Sequence, residues 1–371
     1  DWSSDVCSSD LLCPGMQLRA SDLLYEHNQF AESRIYAYAL INDYPESEHV
    51  GKAYQLVIEG HFQSKEYDKV EEVNQLVQTA DVDDELKTSL STRKAESLFL
   101  GAKELKSGDN HLEAAERFKR VAVETPDYEY ADRSLFQAGL EYRLGGAWTE
   151  ANEVFLLLVD RYPVSEYAPK ALYNAGYDLQ TEVNDLSGSA RLFEDLANNY
   201  KESDLTKGAL ANASANYAAV EDHEGVIRVN ELFVSLFPND DDAHIYLFEN
   251  AEHYLSLGDV DKANEIYQRF SARFPNNPRT IQANYERGKY FLEQGSLAQA
   301  SREFSKTVTA HDRMVDRGLP GSPKYASRSL AQVLEWEHAE YDEIQFRLPT
   351  SSLRASEKEK VAKRNNLIEK Y

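Results

Sequence analysis

The chain has 371 residues, with 64 Asp and Glu against 40 Lys and Arg and a formal net charge of −24. That field argues against nucleic acid, whose phosphates must each be met by Lys or Arg, and favours neutral or basic partners. It is 42% hydrophobic with 23 Tyr, ample for a packed core, yet no run approaches the ~20 apolar residues of a membrane helix.

The first eleven residues, DWSSDVCSSDL, carry no structural period and match the translated end of a sequencing-library adapter. They are expected to be artefactual, so the natural N-terminus is expected to be missing and Cys13 to be the one thiol of the protein proper. A single cysteine excludes an internal disulfide framework and a cysteine-rich zinc site. Without Asp1, Asp5 and Asp10 the net charge becomes −21.

Residues 12–110 read as degenerate helical repeats, with one clear punctuation mark in DYPES at Pro45. Residues 111–312 read as regular ones. AAERFKRVAVETP, ANEVFLLLVDRYP, GVIRVNELFVSLFP and KANEIYQRFSARFP end at Pro126, Pro163, Pro238 and Pro275, and SARLFEDLANNYK supplies a fifth copy with Lys201 in place of proline. The spacing is 37 residues, once 38, and fixed periods of this kind mark stacked repeats. From Pro45 to Pro126 the gap is 81 rather than 74, so about seven residues are inserted there.

Within each copy a small residue falls thirteen places after the anchor (Gly139, Gly176, Ser214, Ala251, Gly288). A bulky one usually falls eight places before the next anchor (Phe155, Phe193, Asn230, Tyr267, Phe304). Small residues let two helices approach, and the proline beyond each second helix stops it. Each unit therefore reads as helix A, polar turn, helix B, proline turn. Residues 313–327, with two Pro, two Gly and no apolar period, are predicted to be a loop, and 328–371 helices that run to the last residue, as in a chain clipped at its C-terminal end.

No constellation for chemistry emerges. The nine His are scattered, with no His pair at i, i+4 around a Glu, and the Gly-containing turns follow no strand as a phosphate cradle would. The expectation is no enzyme, no metal and no cofactor.

The small–large–small register with its closing proline, carried by Gly176, Leu179, Ala151, Phe155 and Pro163, resembles the tetratricopeptide repeat family. The fold implied is all-α, a right-handed α-solenoid of helix–turn–helix repeats. The linker RYPVSEYAPKAL is similar to repeats of bacterial envelope proteins of the Tol–Pal coordinator and β-barrel assembly lipoprotein type. That resemblance implies a periplasmic or outer-membrane-associated protein, with the cytoplasm as the alternative. In such a stack the A helices line a concave groove, and residues three before, one after and four after each small position face it. The predicted partner-binding residues are Phe136, Leu140 and Arg143; Tyr173 and Tyr177; Phe248 and Glu252; Tyr285 and Lys289. The groove is expected to take an extended or helical protein or peptide segment. The competing reading of its aromatics is packing between helices. Two further expectations are an arm of a larger enzyme and a self-associating structural array.

Overall fold

The structure is a computed structural model describing residues 13–346 and 348–370. The adapter-like stretch 1–11 lies outside the described residues. Among these are eighteen α-helices, one π-helical segment and no strand, the all-α class the sequence predicts.

The chain divides into two compact units, one ending at Leu205 and the other beginning at Thr206. The division falls inside the regular stretch 111–312. The first unit holds α1 (Pro14–Glu26), α2 (Phe30–Asp43), α3 (Val50–Gln63), α4 (Tyr67–Thr79), α5 (Asp84–Ser107), α6 (His111–Glu124), α7 (Ala131–Leu144), α8 (Trp148–Arg161), α9 (Ala168–Asp178) and α10 (Leu186–Asn199). The second holds α11 (Thr206–Ala219), α12 (His223–Leu236), α13 (Ala243–Ser256), α14 (Val260–Arg273), α15 (Arg279–Glu293), α16 (Leu297–Asp316), α17 (Pro323–Glu343) and α18 (Thr350–Lys370). Within each unit every helix contacts its neighbours in sequence, as expected when one amphipathic pair is buried by the next.

The period is visible in the helix starts. The B helices α2 to α16 begin at residues 30, 67, 111, 148, 186, 223, 260 and 297. Their spacing is 37 with two exceptions. The step of 44 into α6 holds the insertion, most of it taken up by α5, which has 24 residues where its neighbours α3 and α7 have 14. The step of 38 into α10 is absorbed by the π-helical segment Leu179–Val183, the usual way a helix accommodates one extra residue.

Two turns alternate. Between A and B, one residue takes a left-handed conformation: Asn28, Lys65, Asp109, Gly146, Asn184, Glu221, Gly258 and Gly295, with φ from 57° to 77°. The following amide reaches back to close the helix end, as Ala147 N does to Tyr142 O at 2.9 Å. Between B and the next A, the YP.S linker forms a compact double turn. Ser165 N donates to Tyr162 O, Ala168 N donates to Ser165 O, and Ser165 Oγ accepts from Tyr167 N at 3.1 Å. Ser47, Ser203, Asp240 and Asn277 accept in the same way, so the position asks for a short side chain with an acceptor oxygen.

The proline has a second role besides stopping the helix. Its carbonyl accepts a hydrogen bond from the next repeat: Tyr162 Oη to Pro126 O, Tyr200 Oη to Pro163 O, and Arg273 and Arg313 guanidinium N–H groups to Pro238 O and Pro275 O. The residues twelve before each anchor, Ala114, Ala151, Ser189, Val226, Ala263 and Ala300, are at most 1% exposed. At the C-terminal end the break predicted over 313–327 is shorter. Helix α16 continues to Asp316, and Pro323, whose fixed φ suits a first helical turn, already opens α17. No helix among the described residues is long and apolar enough to cross a membrane.

Candidate interaction face

In the first unit, charged pairs lock successive A helices together. Glu141 on α7 is fully buried and takes Lys106 from α5 at 2.6 Å and His111 from α6 at 2.8 Å. Asp178 on α9 is also fully buried and lies 2.9 Å from Arg143 Nε on α7, while Arg143 Nη1 donates to Asn174 Oδ1 at 2.8 Å. Neither Asp178 oxygen has a well-aligned donor. Burial therefore pushes the Asp178 carboxyl up to about 6, against the opposing pull of Arg143. Asp178 also sits at the junction where α9 widens into the π-helical segment.

These contacts decide what the predicted groove residues do. Arg143 is engaged with Asp178 and Asn174 rather than standing free. Phe136 is half-buried, stacked on Tyr167 with centroids 5.1 Å apart and tilted to Phe155 at 5.9 Å. Tyr173, also half-buried, meets Phe193 edge-on at 5.3 Å. Leu140 is half-buried against the core. Tyr177 alone among the five remains open, 46% exposed.

In the second unit the prediction for Phe248 is corrected. The ring is 1% exposed, edge-on to Phe270 at 5.1 Å, tilted to Tyr267 at 5.4 Å and covered by the Arg279 guanidinium at 5.0 Å. It is core and cannot touch a partner. Tyr285 is half-buried between Phe304 and Tyr325. Glu252 and Lys289 are exposed, and Lys289 pairs with Glu286 at 3.1 Å.

The physical reason is a register effect. The aromatic three residues before the small position meets the B-helix aromatic of its own repeat in four cases: Phe136–Phe155, Tyr173–Phe193, Phe248–Tyr267 and Tyr285–Phe304. Where that residue is Ala211, the B-helix position is Asn230. This register flanks the A–B crossing. The register one residue after the small position is more open: Tyr177, Ala215, Glu252 and Lys289 there are exposed, and Leu140 is half-buried. Leu255, three further on, is 42% exposed.

Sequence reasoning did not find the Glu141 and Asp178 pairs, the proline carbonyl contacts or the close approach of His223 Nδ1 to His253 Nδ1, 2.9 Å. The carbonyl contacts had a signal in the tyrosine before Pro163 and before Lys201. The ion pairs join residues 35 apart, such as Arg143 and Asp178, and left none. Among the described residues no group of three His, Cys, Asp or Glu could hold a metal ion.

No curated protein matches the chain. Solved structures that align with it include MamA from Desulfovibrio magneticus, 15% identical over 49% of this chain and 96% of that one, with a TM-score of 0.28. A tetratricopeptide-repeat-containing protein from Cytophaga hutchinsonii is 14% identical over 72% and 98%, with a TM-score of 0.31. A tetratricopeptide repeat protein from Parabacteroides merdae is 12% identical over 86% and 98%, with a TM-score of 0.26. Residues 248–312, from within α13 to Asp312 in α16, match the tetratricopeptide repeat family.

Proposed function

We propose that the chain is a non-catalytic scaffold that captures a protein or peptide partner on the outward register of its A helices, in the bacterial cell envelope. Tetratricopeptide repeats generally serve as protein–protein interaction scaffolds. Tyr177 carries the reading. It is a half-exposed aromatic on a helix pinned by the buried Asp178–Arg143 pair, so its ring is presented with little ordering cost. Complete burial of such a side chain is worth about 2–3 kcal/mol, the scale of an anchor at an interface. The net charge of −24 supports a neutral or basic partner. The YP.S..A linker supports the envelope.

A photo-reactive phenylalanine analogue at position 177 tests the site, with position 156 as control, since Leu156 on the B helix α8 is also exposed, at 42%. Crosslinking to one protein from 177 and not from 156, with Tyr177→Ala weakening that purified partner about tenfold at an unchanged melting temperature, is the expected outcome. Equal labelling from both positions, or an affinity unchanged by Tyr177→Ala, sinks the assignment. Fractionating cells that make the natural full-length protein tests the compartment, and recovery in the cytoplasm overturns it.

A further inference from the structure

The second unit also holds a cleft of about 770 Å³ formed by α14, α15 and α16, away from the outward A-helix register. Its charge is the reverse of the chain's. Arg287, Arg302, Lys306 and Arg313 line it, and no carboxylate does. Arg302, Lys306 and Arg313 follow at i, i+4 and i+11 on α16, one face of that helix, and Arg287 approaches from α15.

The cations are undercompensated. Buried Glu303, 6% exposed, meets both Arg287 at 3.6 Å and Lys306 at 2.7 Å through the same oxygen. Arg302 has no ion pair or hydrogen bond among the described residues, and Arg313 gives a guanidinium N–H only to the neutral Pro275 carbonyl at 3.0 Å. Four positive charges thus face one negative charge. A second observation is independent of that balance. Arg287 is nine-tenths buried, 9% exposed, and its Nε has no hydrogen-bond partner, nor does the lining hydroxyl of Ser271. Buried donors without acceptors are rare in a settled interior and fit a site whose acceptor is a ligand.

We propose that this cleft binds a small polyphosphate anion, with Arg287 at its floor and Arg302, Lys306 and Arg313 at its rim. A single carboxylate would neutralise one of three surplus charges, whereas two or more phosphoryl groups match them all. Phosphate oxygens point in several directions, as the donors do, from three helices. The volume exceeds that of one phosphate and suits a compact multiply phosphorylated molecule. A long polyanion is disfavoured, because beyond the cleft it meets the field of a chain with net charge −24.

Calorimetric titration of the purified protein with pyrophosphate and inositol hexakisphosphate, and with citrate as the carboxylate control, tests the site. Both phosphates are expected to bind, with citrate at least about tenfold weaker, and affinity should fall as salt is raised. Tighter binding of inositol hexakisphosphate assigns an organic carrier and tighter binding of pyrophosphate an inorganic chain; either supports the site. Arg302→Gln alters an exposed, unpaired side chain, so its melting temperature should not change while affinity drops about five- to tenfold, the scale of one charge-assisted contact. Lys306→Gln is the second variant, with the same expected loss, and Lys201→Gln in the first unit is the control that should change nothing. No binding of either phosphate, citrate as tight as the phosphates, or equal losses in the Lys201 control would overturn the proposal.

Discussion

Gly139 on α7 lies directly under the ring of Phe155 on α8, so close that a methyl group placed on its Cα would overlap the ring. The same pairing recurs at Gly288 with Phe304, where the added carbon would approach to 2.6 Å, and at Gly176 with Phe193, where it would approach to 3.0 Å. Replacing a mid-helix glycine by alanine ordinarily gains about 1 kcal/mol, while overpacking costs about 1–3 kcal/mol. The balance predicts a ranking. Gly139→Ala should lose about 2 kcal/mol, Gly288→Ala somewhat less, and Gly176→Ala should be near neutral, because Phe193 needs to move only a few tenths of an ångström. Urea midpoints of the three variants check it, and a Gly139→Ala protein more stable than wild type would refute the close crossing.

Those three glycines were legible in the sequence because their signal is local and repeated: one spacing, seen five times, fixes the crossing, and in four of the five copies an aromatic partner as well. The orientation of the residue three places earlier was not. A helical wheel places Phe248 and Glu252 on one broad face, yet Phe248 is core and Glu252 is exposed, because the flank nearer helix B is closed by Phe270 and Tyr267. Whether a flank is closed depends on side chains from another helix, which the period of one helix does not encode. The extra residue before Lys201 was countable, but not that it would become a π-helical turn following buried Asp178, which meets Arg143 from a different repeat.

Burial of Asp178 gives the first unit a pH signature, against the opposing pull of Arg143. The Asp178 carboxyl sits at about 6 in the folded chain, above its ordinary value of 3.8, because burial favours the neutral form. The folded state therefore holds the proton more tightly than the unfolded state. Its contribution to stability is complete below about 3.8 and is lost as pH rises through 6, a change of about 3 kcal/mol. Asp178→Asn removes this titration. Relative to that variant, wild type should be most stable near pH 4 and lose ground steadily to pH 7. Melting temperatures of both proteins across that range give the difference, and a flat difference refutes the shift.

Ser165 is a joint rather than a surface residue. Its Oγ accepts from Tyr167 N at 3.1 Å and donates to Asp132 Oδ2 at 2.6 Å, tying the linker to the preceding repeat. Ser165→Ala should cost about 1 kcal/mol, the usual loss for a capping hydroxyl. Asn277 does the same work in the second unit, so Ser165→Asn should recover most of that loss. Chemical denaturation of the pair decides it: an asparagine variant no better than alanine would mean the acceptor oxygen is not what the turn requires.

His223 and His253 set the opposite pH dependence in the second unit. Their Nδ1 atoms are 2.9 Å apart with ring centroids 5.1 Å apart, so one nitrogen must donate its proton and the other must offer its lone pair. Both rings cannot be charged without losing the bond. Burial lowers the His253 value below 6.5, and the facing His223 lowers it further. A histidine that is harder to protonate when folded contributes stability above its unfolded value, and that contribution is lost as pH falls through 6.5 and below. His223→Gln keeps a hydrogen-bonding side chain and removes the ring that helps lower the His253 value, so its stability should fall less than that of wild type between pH 7.5 and pH 5. Following the second unit by histidine proton NMR and thermal melting over that interval separates this effect from Asp178, whose contribution rises as pH falls. Parallel losses in wild type and His223→Gln would show that the facing ring does not lower the His253 value.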